Sequence, residues 1–278
     1  MIDKARLLMK LSLLLLLLTC FSAVISAQTV DQKNNREIIR KARDSYYSLR
    51  RLGLSEFQSD IENNWQVTLA DVIKANPTGA EAGIKLLNGL HFAMAMDQDG
   101  QVKVTHRSDA PPANDQLAAS FDKIFSGMEQ AVSGFFGTWN AFMLSSPFPS
   151  PDATYQQQHI GDGILLTYNE GNSSISTTMN KEFVISEVKV ASPEFNSSVR
   201  PRFSRNEKGL MLMGYAGDYV PNKGPGKIHL DVDVEYQEIN GLQLPRKLRM
   251  ASILDGASNQ IELSFLNYQL KMRQRAGN

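Results

Sequence analysis

Three carboxylates, Asp231, Asp233 and Glu235, recur at every second residue of a strand-like segment and so project from one face. Such a row could hold a hard cation or supply acid–base chemistry. The segment that follows offers a competing use. With Asn240 to Leu242 as a three-residue loop, Glu235 faces Lys247, Asp233 faces Arg249, Val234 faces Leu248 and Val232 faces Met250. Charge meets opposite charge and apolar meets apolar, so an ion-paired, solvated face is the reading adopted. His91, His106, His159 and His229 each stand alone in a strand-like segment, without the converging donors that a zinc site needs. Gly161-Asp162-Gly163 and Gly224-Pro225-Gly226 read as turns, because neither has the strand-to-helix setting of a phosphate-cradling loop. There is no Gly-x-Ser-x-Gly elbow and no His-Glu-x-x-His. No catalytic residue, metal or cofactor is therefore expected.

The remaining chemistry is apolar. Leu117, Phe121, Ile124, Met128, Val132, Phe135, Trp139 and Phe142 follow one another at spacings of three and four, which lines one face of a helix. Phe125, Phe136 and Met143 widen that face. A stripe of this kind serves as core, or as one wall of a site for acyl chains, where methionine supplies an adaptable surface. The expected ligand-binding set is Phe135, Phe136, Trp139, Phe142, Met143 and Met128.

The elements that must position this helix are mostly strands. Ile38, Ile39, Ala42, Tyr46, Leu49 and Leu52 predict an amphipathic helix over 36–52 with Gly53 as its cap, and alternation from Phe57 to Trp65 predicts a strand. One or two short helices are expected between Val67 and Gly89. Leu90 to Arg107 reads as a hairpin whose loop Gln98-Asp99-Gly100 sets Met96 opposite Val102, Met94 opposite Val104 and Phe92 opposite His106. The aromatic helix is expected within 113–145, with room for a kink near Gly134, stopped by Pro147 and Pro149. Seven further strands follow: Ile164–Tyr168, Ser174–Met179, Phe183–Val190, Gly209–Tyr215, Lys227–Glu238, Gln243–Leu254 and Gln260–Lys271. Short connections make them antiparallel, about ten strands in all. The fold class is α+β, and residues 28–278 form one domain.

Lys plus Arg and Asp plus Glu both number 29, so the chain has no basic excess with which to neutralise phosphates, and nucleic acid is not an expected partner. Lys4, Arg6 and Lys10 precede a run from Leu11 to Leu18 broken only by Ser12, and small residues lead to Ala27, the layout of a secretory signal peptide over 1–27. The alternatives are an uncleaved anchor, for which the run is short and diluted by Thr19, Ser22 and Ser26, and a lipid-modified Cys20. Cleavage removes Cys20, the single cysteine, and leaves a periplasmic protein without disulfides and without an integral membrane span.

An opening helix of the form Ile38-Ile39-Arg40-Lys41-Ala42-x-x-x-Tyr46, a strand near Phe57, a closing run Val234-Glu235-Tyr236-x-x-Ile239-Asn240-Gly241-Leu242-x-Leu244-Pro245 and a last strand ending Asn267-Tyr268 together resemble the outer-membrane lipoprotein-sorting (LolA/LolB-like) superfamily. The resemblance covers residues 36–66 and 228–271. It implies an open antiparallel half-barrel of about eleven strands, with helices in its concave face and a cavity for acyl chains. Three functions are ordered accordingly: a non-enzymatic carrier of lipid, lipoprotein or another acylated ligand; an envelope module with a filled core that binds a protein partner; and a hydrolase of envelope material.

Overall fold

The computed structural model describes residues 36–150, 153–224 and 226–273. The expected signal peptide and Cys20 lie outside them. Helix α1 (36–44) leads to β1 (Leu54–Asn63), three short helices α2 (Trp65–Thr68), α3 (Ala70–Ala75) and α4 (Pro77–Leu87), and a hairpin of β2 (Leu90–Met96) and β3 (Val102–Ser108). The long helix α5 (Asp115–Trp139) ends in a π-helical turn, Asn140–Leu144. Nine strands complete the chain: β4 (Tyr155–Ile160), β5 (Gly163–Glu170), β6 (Ser173–Met179), β7 (Ile185–Ala191), β8 (Phe195–Asn206), β9 (Gly209–Pro221), β10 (Ile228–Ile239), β11 (Leu242–Leu254) and β12 (Ala257–Met272).

All twelve strands form one open antiparallel sheet in the order β3-β2-β1-β12-β11-β10-β9-β8-β7-β6-β5-β4. Every neighbour is consecutive in sequence except β1 and β12, so the first and last strands of the described residues meet inside the sheet. The edges are β3 and β4, and α5 with the segment after it is the connection between them.

Two strands exceed the sequence expectation. Strand β4 is Tyr-Gln-Gln-Gln-His-Ile, too polar to show alternation, and β8 contains Pro201. Strand β7 pairs with β8 only from Val188↔Val199 to Ala191↔Asn196, so Pro201 lies where β8 outruns that neighbour and its missing N–H breaks no ladder bond on that side. Trp65, expected to end the first strand, instead opens α2 and is buried.

The hairpin registers are informative. Met96↔Val102, Met94↔Val104 and Phe92↔His106 pair as the three-residue loop requires, with Gly100 at φ 80°. Asp97 secures that loop by accepting from the backbone N–H of Asp99 and of Gln101, both at 2.9 Å. In the β10–β11 hairpin, Glu235↔Lys247, Asp233↔Arg249, Val234↔Leu248 and Val232↔Met250 are all present. The loop, however, is the two-residue Asn240-Gly241, with both residues at positive φ (53° and 76°), and a bulge beside Tyr236 restores the offset.

Helix α1 stops at residue 44 rather than running to Leu52. The backbone of the next residues is committed to β9: Leu210 N–H donates to Ser45 O at 2.8 Å and Tyr47 N–H to Leu210 O at 2.9 Å. Gly53, expected to cap that helix, instead lies in the following turn at φ 97°. Both tyrosines are buried. The Tyr46 hydroxyl donates to Phe183 O and accepts from Ile185 N–H, while the Tyr47 hydroxyl accepts from Gln243 N–H at 2.8 Å. Residues 45–48 therefore form a strap across the middle of the sheet.

Helix α5 is continuous through Gly134. It starts with the Asn114 side chain accepting from Leu117 N–H at 2.9 Å. Its aromatic stripe meets central strands: Phe136 lies 5.9 Å from Phe57 of β1 and 5.4 Å from Phe265 of β12, and Trp139 lies 6.1 Å from Phe57. Trp139 Nε1 donates to the Tyr236 hydroxyl at 3.1 Å, which donates to Leu212 O at 2.5 Å. The helix is thus tied to β10 and β9 by polar as well as apolar contact. Each fully buried large side chain here contributes roughly 1.5–3 kcal/mol.

Two glycines test this architecture in opposite directions. Gly209 has φ 124°, and a Cβ there would lie 2.7 Å from backbone atoms of Tyr46 and Tyr47. Gly209→Ala should lower unfolding stability by at least about 2 kcal/mol, because strain at positive φ adds to the clash with the strap. Gly127 sits on the exposed side of α5 with open space where a Cβ would go. Gly127→Ala should raise stability by about 1 kcal/mol. Chemical denaturation of both variants measures the two shifts.

Candidate functional site

Over its last turns α5 changes character on one side. Beside the face that carries Phe135, Phe136 and Trp139 it carries Gly137 and Thr138, and Ala141 of the π-helical turn continues them. Small residues on a helix facing a sheet leave volume, and a cavity of about 500 Å³ lies here. Its floor is a continuous cross-strand row, Tyr168↔Ile175↔Val190↔Ser197↔Tyr219, running over β5 to β9. Since paired residues point to one face of a sheet, that whole row faces α5. The neighbouring pair Val188↔Val199 adds a second row. Phe142 of the π-helical turn and Phe148 of the loop after it supply further walls, and Phe195, 38 % exposed, stands at the rim.

The loop carrying Phe148 is held from behind. Arg43 Nη1 donates to Phe148 O at 3.2 Å and to Pro149 O at 2.8 Å, and the Tyr46 ring meets Phe148 edge-on at 5.3 Å. At the helix end, Leu49 N–H donates to Met143 O and Ser145 N–H to Asn140 O, both at 2.9 Å. Strap, helix end and loop thus form one hydrogen-bonded assembly over the cavity.

Of the six residues expected from sequence to bind a ligand, Phe142 lines the cavity. Phe135, Phe136, Trp139 and Met143 are 0–1 % exposed and Met128 is 5 % exposed, all within the core. Phe135 and Phe136 meet edge-on at 4.8 Å, and Phe265 stacks on Phe135 and meets Phe136 edge-on, so ring fills the space beside ring. The aromatic stripe is where the helix packs, and the cavity begins where the stripe gives way to small residues. Sequence reasoning missed the valines, Ile175, Tyr168 and Tyr219. Their signal was alternation within β5 to β9, which points to one face but does not say what leaves room above it.

The polar chemistry of the cavity is restrained. Burial pushes the Tyr168 phenol up to about 12, with the nearby Glu170 charge adding to the effect. Burial likewise raises the Tyr219 phenol. Both stay protonated at neutral pH, suited to donating a hydrogen bond and not to acting as a base.

The carboxylate row lies elsewhere and is engaged. Arg202 Nη2 reaches Asp231 at 3.0 Å and Asp233 at 2.7 Å, while Glu235 pairs with Arg246 at 2.5 Å and Arg249 at 3.0 Å. Lys247, directly across from Glu235, pairs instead with Glu262 at 3.2 Å, and Arg249 also reaches Glu262 at 2.9 Å. Arg249 and Glu262 face each other directly across β11 and β12, whereas Glu235 and Lys247 reach diagonal partners. Among the described residues no group of three or more His, Cys, Asp or Glu could hold a metal ion. His91 bonds Asp109 at 2.8 Å, His229 bonds Asp218 at 3.0 Å and His106 stacks on Phe125 at 3.8 Å, three separate places. Arg200, His229 and Lys227 hold the Asp218 carboxyl well below the usual carboxylate range.

No protein-family model, curated protein or solved structure matches the chain.

Glu262 gives the charge network a pH signature. Hydrogen bonds from Asn64 and Arg249 hold its carboxyl down at about 2, from an ordinary 4.5. The unfolded chain binds the proton more tightly, so the Glu262 contribution is complete above about pH 4.5 and is lost as pH falls to about 2. Urea midpoints across that window should decline more steeply for the native chain than for Glu262→Gln.

Proposed function

We propose that this chain is an exported, non-enzymatic carrier or binder of a lipid-like ligand, with the apolar chain of that ligand in the cavity under Phe142 and Phe148. The cavity carries the reading. Its volume of about 500 Å³ falls within the roughly 300–1,000 Å³ of small-molecule sites, and valine, isoleucine and phenylalanine supply seven of its twenty lining residues. Affinity would come from apolar area taken out of water, with the neutral phenols of Tyr168 and Tyr219 as the orienting donors. The carboxylate row lends no support to a hydrolase, since each of its members already has an arginine.

A half-barrel with helices in its concave face, the shape implied by the lipoprotein-sorting resemblance, is part of the proposal. The path of the chain supports it. Twelve strands laid flat would place the two edges about 53 Å apart at a spacing of roughly 4.8 Å, whereas the 25 residues of α5 extend about 37 Å. A curled sheet shortens the distance that the helix and its following loop must cover. Export and a periplasmic location rest on the sequence of residues 1–27 alone. Among the described residues, no helix is long and apolar enough to cross a membrane.

A second reading, an envelope module that binds a protein partner, is favoured by one observation. The packing of Phe135, Phe136 and Trp139 leaves that part of the helix–sheet contact filled, as a module without a ligand would require.

Filling the cavity separates the two. Val188→Trp places a large ring over the floor of the site at a position where a strand tolerates it. The native protein should take up a fluorescent fatty acid and retain a lipid adduct in native mass spectrometry. The variant should bind at least about tenfold more weakly with its unfolding midpoint unchanged. A clean apo mass and no uptake by the native chain would sink the carrier and leave the interaction module.

A further inference from the structure

The cavity does not end at Phe148. A second, polar groove of about 470 Å³ shares Ser146, Phe148, Ser150 and Glu170 with it and continues to Arg43, Asp44 and Arg51 of the α1–strap region. We infer that this groove is an anion subsite, and that the bound amphiphile carries an oxyanion headgroup, a carboxylate or a phosphate, held by Arg43 and Arg51. The inference rests on the lipid-binding reading of the cavity and adds the chemistry of the ligand's other end.

The charges around the groove support it. Arg43 spends Nη1 on two backbone carbonyls, and among the described residues no carboxylate pairs with it. Its position behind the Phe148 loop puts that charge at the junction of the two compartments. Arg51 donates to the Tyr46 carbonyl and pairs with Asp44 at 3.2 Å, while Asp44 is shared with Arg40 at 3.1 Å. Arg40 is held more closely by Glu37, at 2.7 Å, so Arg51 and Asp44 offset each other, and the positive excess of the groove lining comes from Arg43 and Arg50 set against Glu170. Arg50 also lines the groove, but its guanidinium donates to the carbonyls of Leu54, Ser55, Asp97 and Gln98 and is not assigned a ligand role. Glu170 opposes an anion at the shared wall, which confines the headgroup to the arginine side. A guanidinium with uncommitted N–H groups suits either oxyanion. Hydrocarbon then continues from that point into the valine-lined cavity.

Three probes with one oleoyl chain test this on the full mature protein: oleate, oleoyl glycerol phosphate, and neutral oleoyl glycerol. The two anions should bind at least tenfold more tightly than the neutral probe at low salt, with the advantage shrinking as salt rises. Arg43→Gln and Arg51→Gln should each reduce that advantage about fivefold or more while moving oleoyl glycerol less than twofold, and Glu170→Gln should tighten the anions. A phosphate preference would name a phospholipid-class ligand and a carboxylate preference a fatty acid, and either supports the subsite. Equal affinity for all three probes, unmoved by the substitutions, would overturn it while leaving the carrier standing. So would an Arg43→Gln loss that falls on the neutral probe equally, since Arg43 would then act only by holding the loop. Failure of all three probes to bind the native chain would remove the carrier reading, and the subsite with it.

Discussion

The chain has to pass from one edge of a twelve-stranded sheet to the other, and it can do so only over a face. That single crossing dictates the rest of the molecule. The crossing element must be regular, because a long irregular segment over an apolar face would bury unpaired backbone groups. It must be apolar on the side that meets the sheet. Helix α5 satisfies both, and the residues that meet β1 and β12 are its largest rings. The Trp139–Tyr236–Leu212 hydrogen-bond chain then fixes where along the sheet the crossing lies.

Packing and vacancy are set by different faces of the same helix. Phenylalanine and tryptophan fill the space over β1, β12 and β10, and a glycine, a threonine and an alanine leave space over β5 to β9. The sheet does not change its nature between these regions, since both present alternating aliphatic residues. The difference comes from the helix side chains and from the loop after the π-helical turn, which Arg43 and Tyr46 hold over the gap. The strap consequently backs the site wall at Phe148 as well as forming part of the core.

Much of this was legible in the amino-acid order. The two hairpins with alternating apolar residues were assigned to their true partners because only one register keeps apolar residues together. The Asn240-Gly241 turn was read one residue too long, since a bulge further along the strand gives the same distant pairs. Strand β4 and strand β8 were missed because their neighbours, and not their own composition, make them strands. The end of α1 differs for a related reason: Tyr46 and Leu49 fit a helical stripe, yet Leu210 takes the backbone groups of Ser45 and Tyr47, and Met143 O takes the N–H of Leu49. At the candidate site, large aromatics were conspicuous and small residues were not. A cavity is made by what is absent from a side chain, and that becomes visible only when two surfaces face each other.

The pairing of β1 with β12 has a consequence for how the molecule comes into being. Ser59 donates its hydroxyl to Leu266 O across a separation of 207 residues, and among the described residues this joint is how the β1–β3 unit enters the sheet. A chain made from its N-terminus holds these three strands in waiting until β12 has emerged. Closing so long a loop is slow on topological grounds, and the central strands lack a partner meanwhile. The native sheet therefore cannot be completed before β12 has been made, so β1 to β3 stay apart from the rest of the sheet while the intervening strands are synthesised.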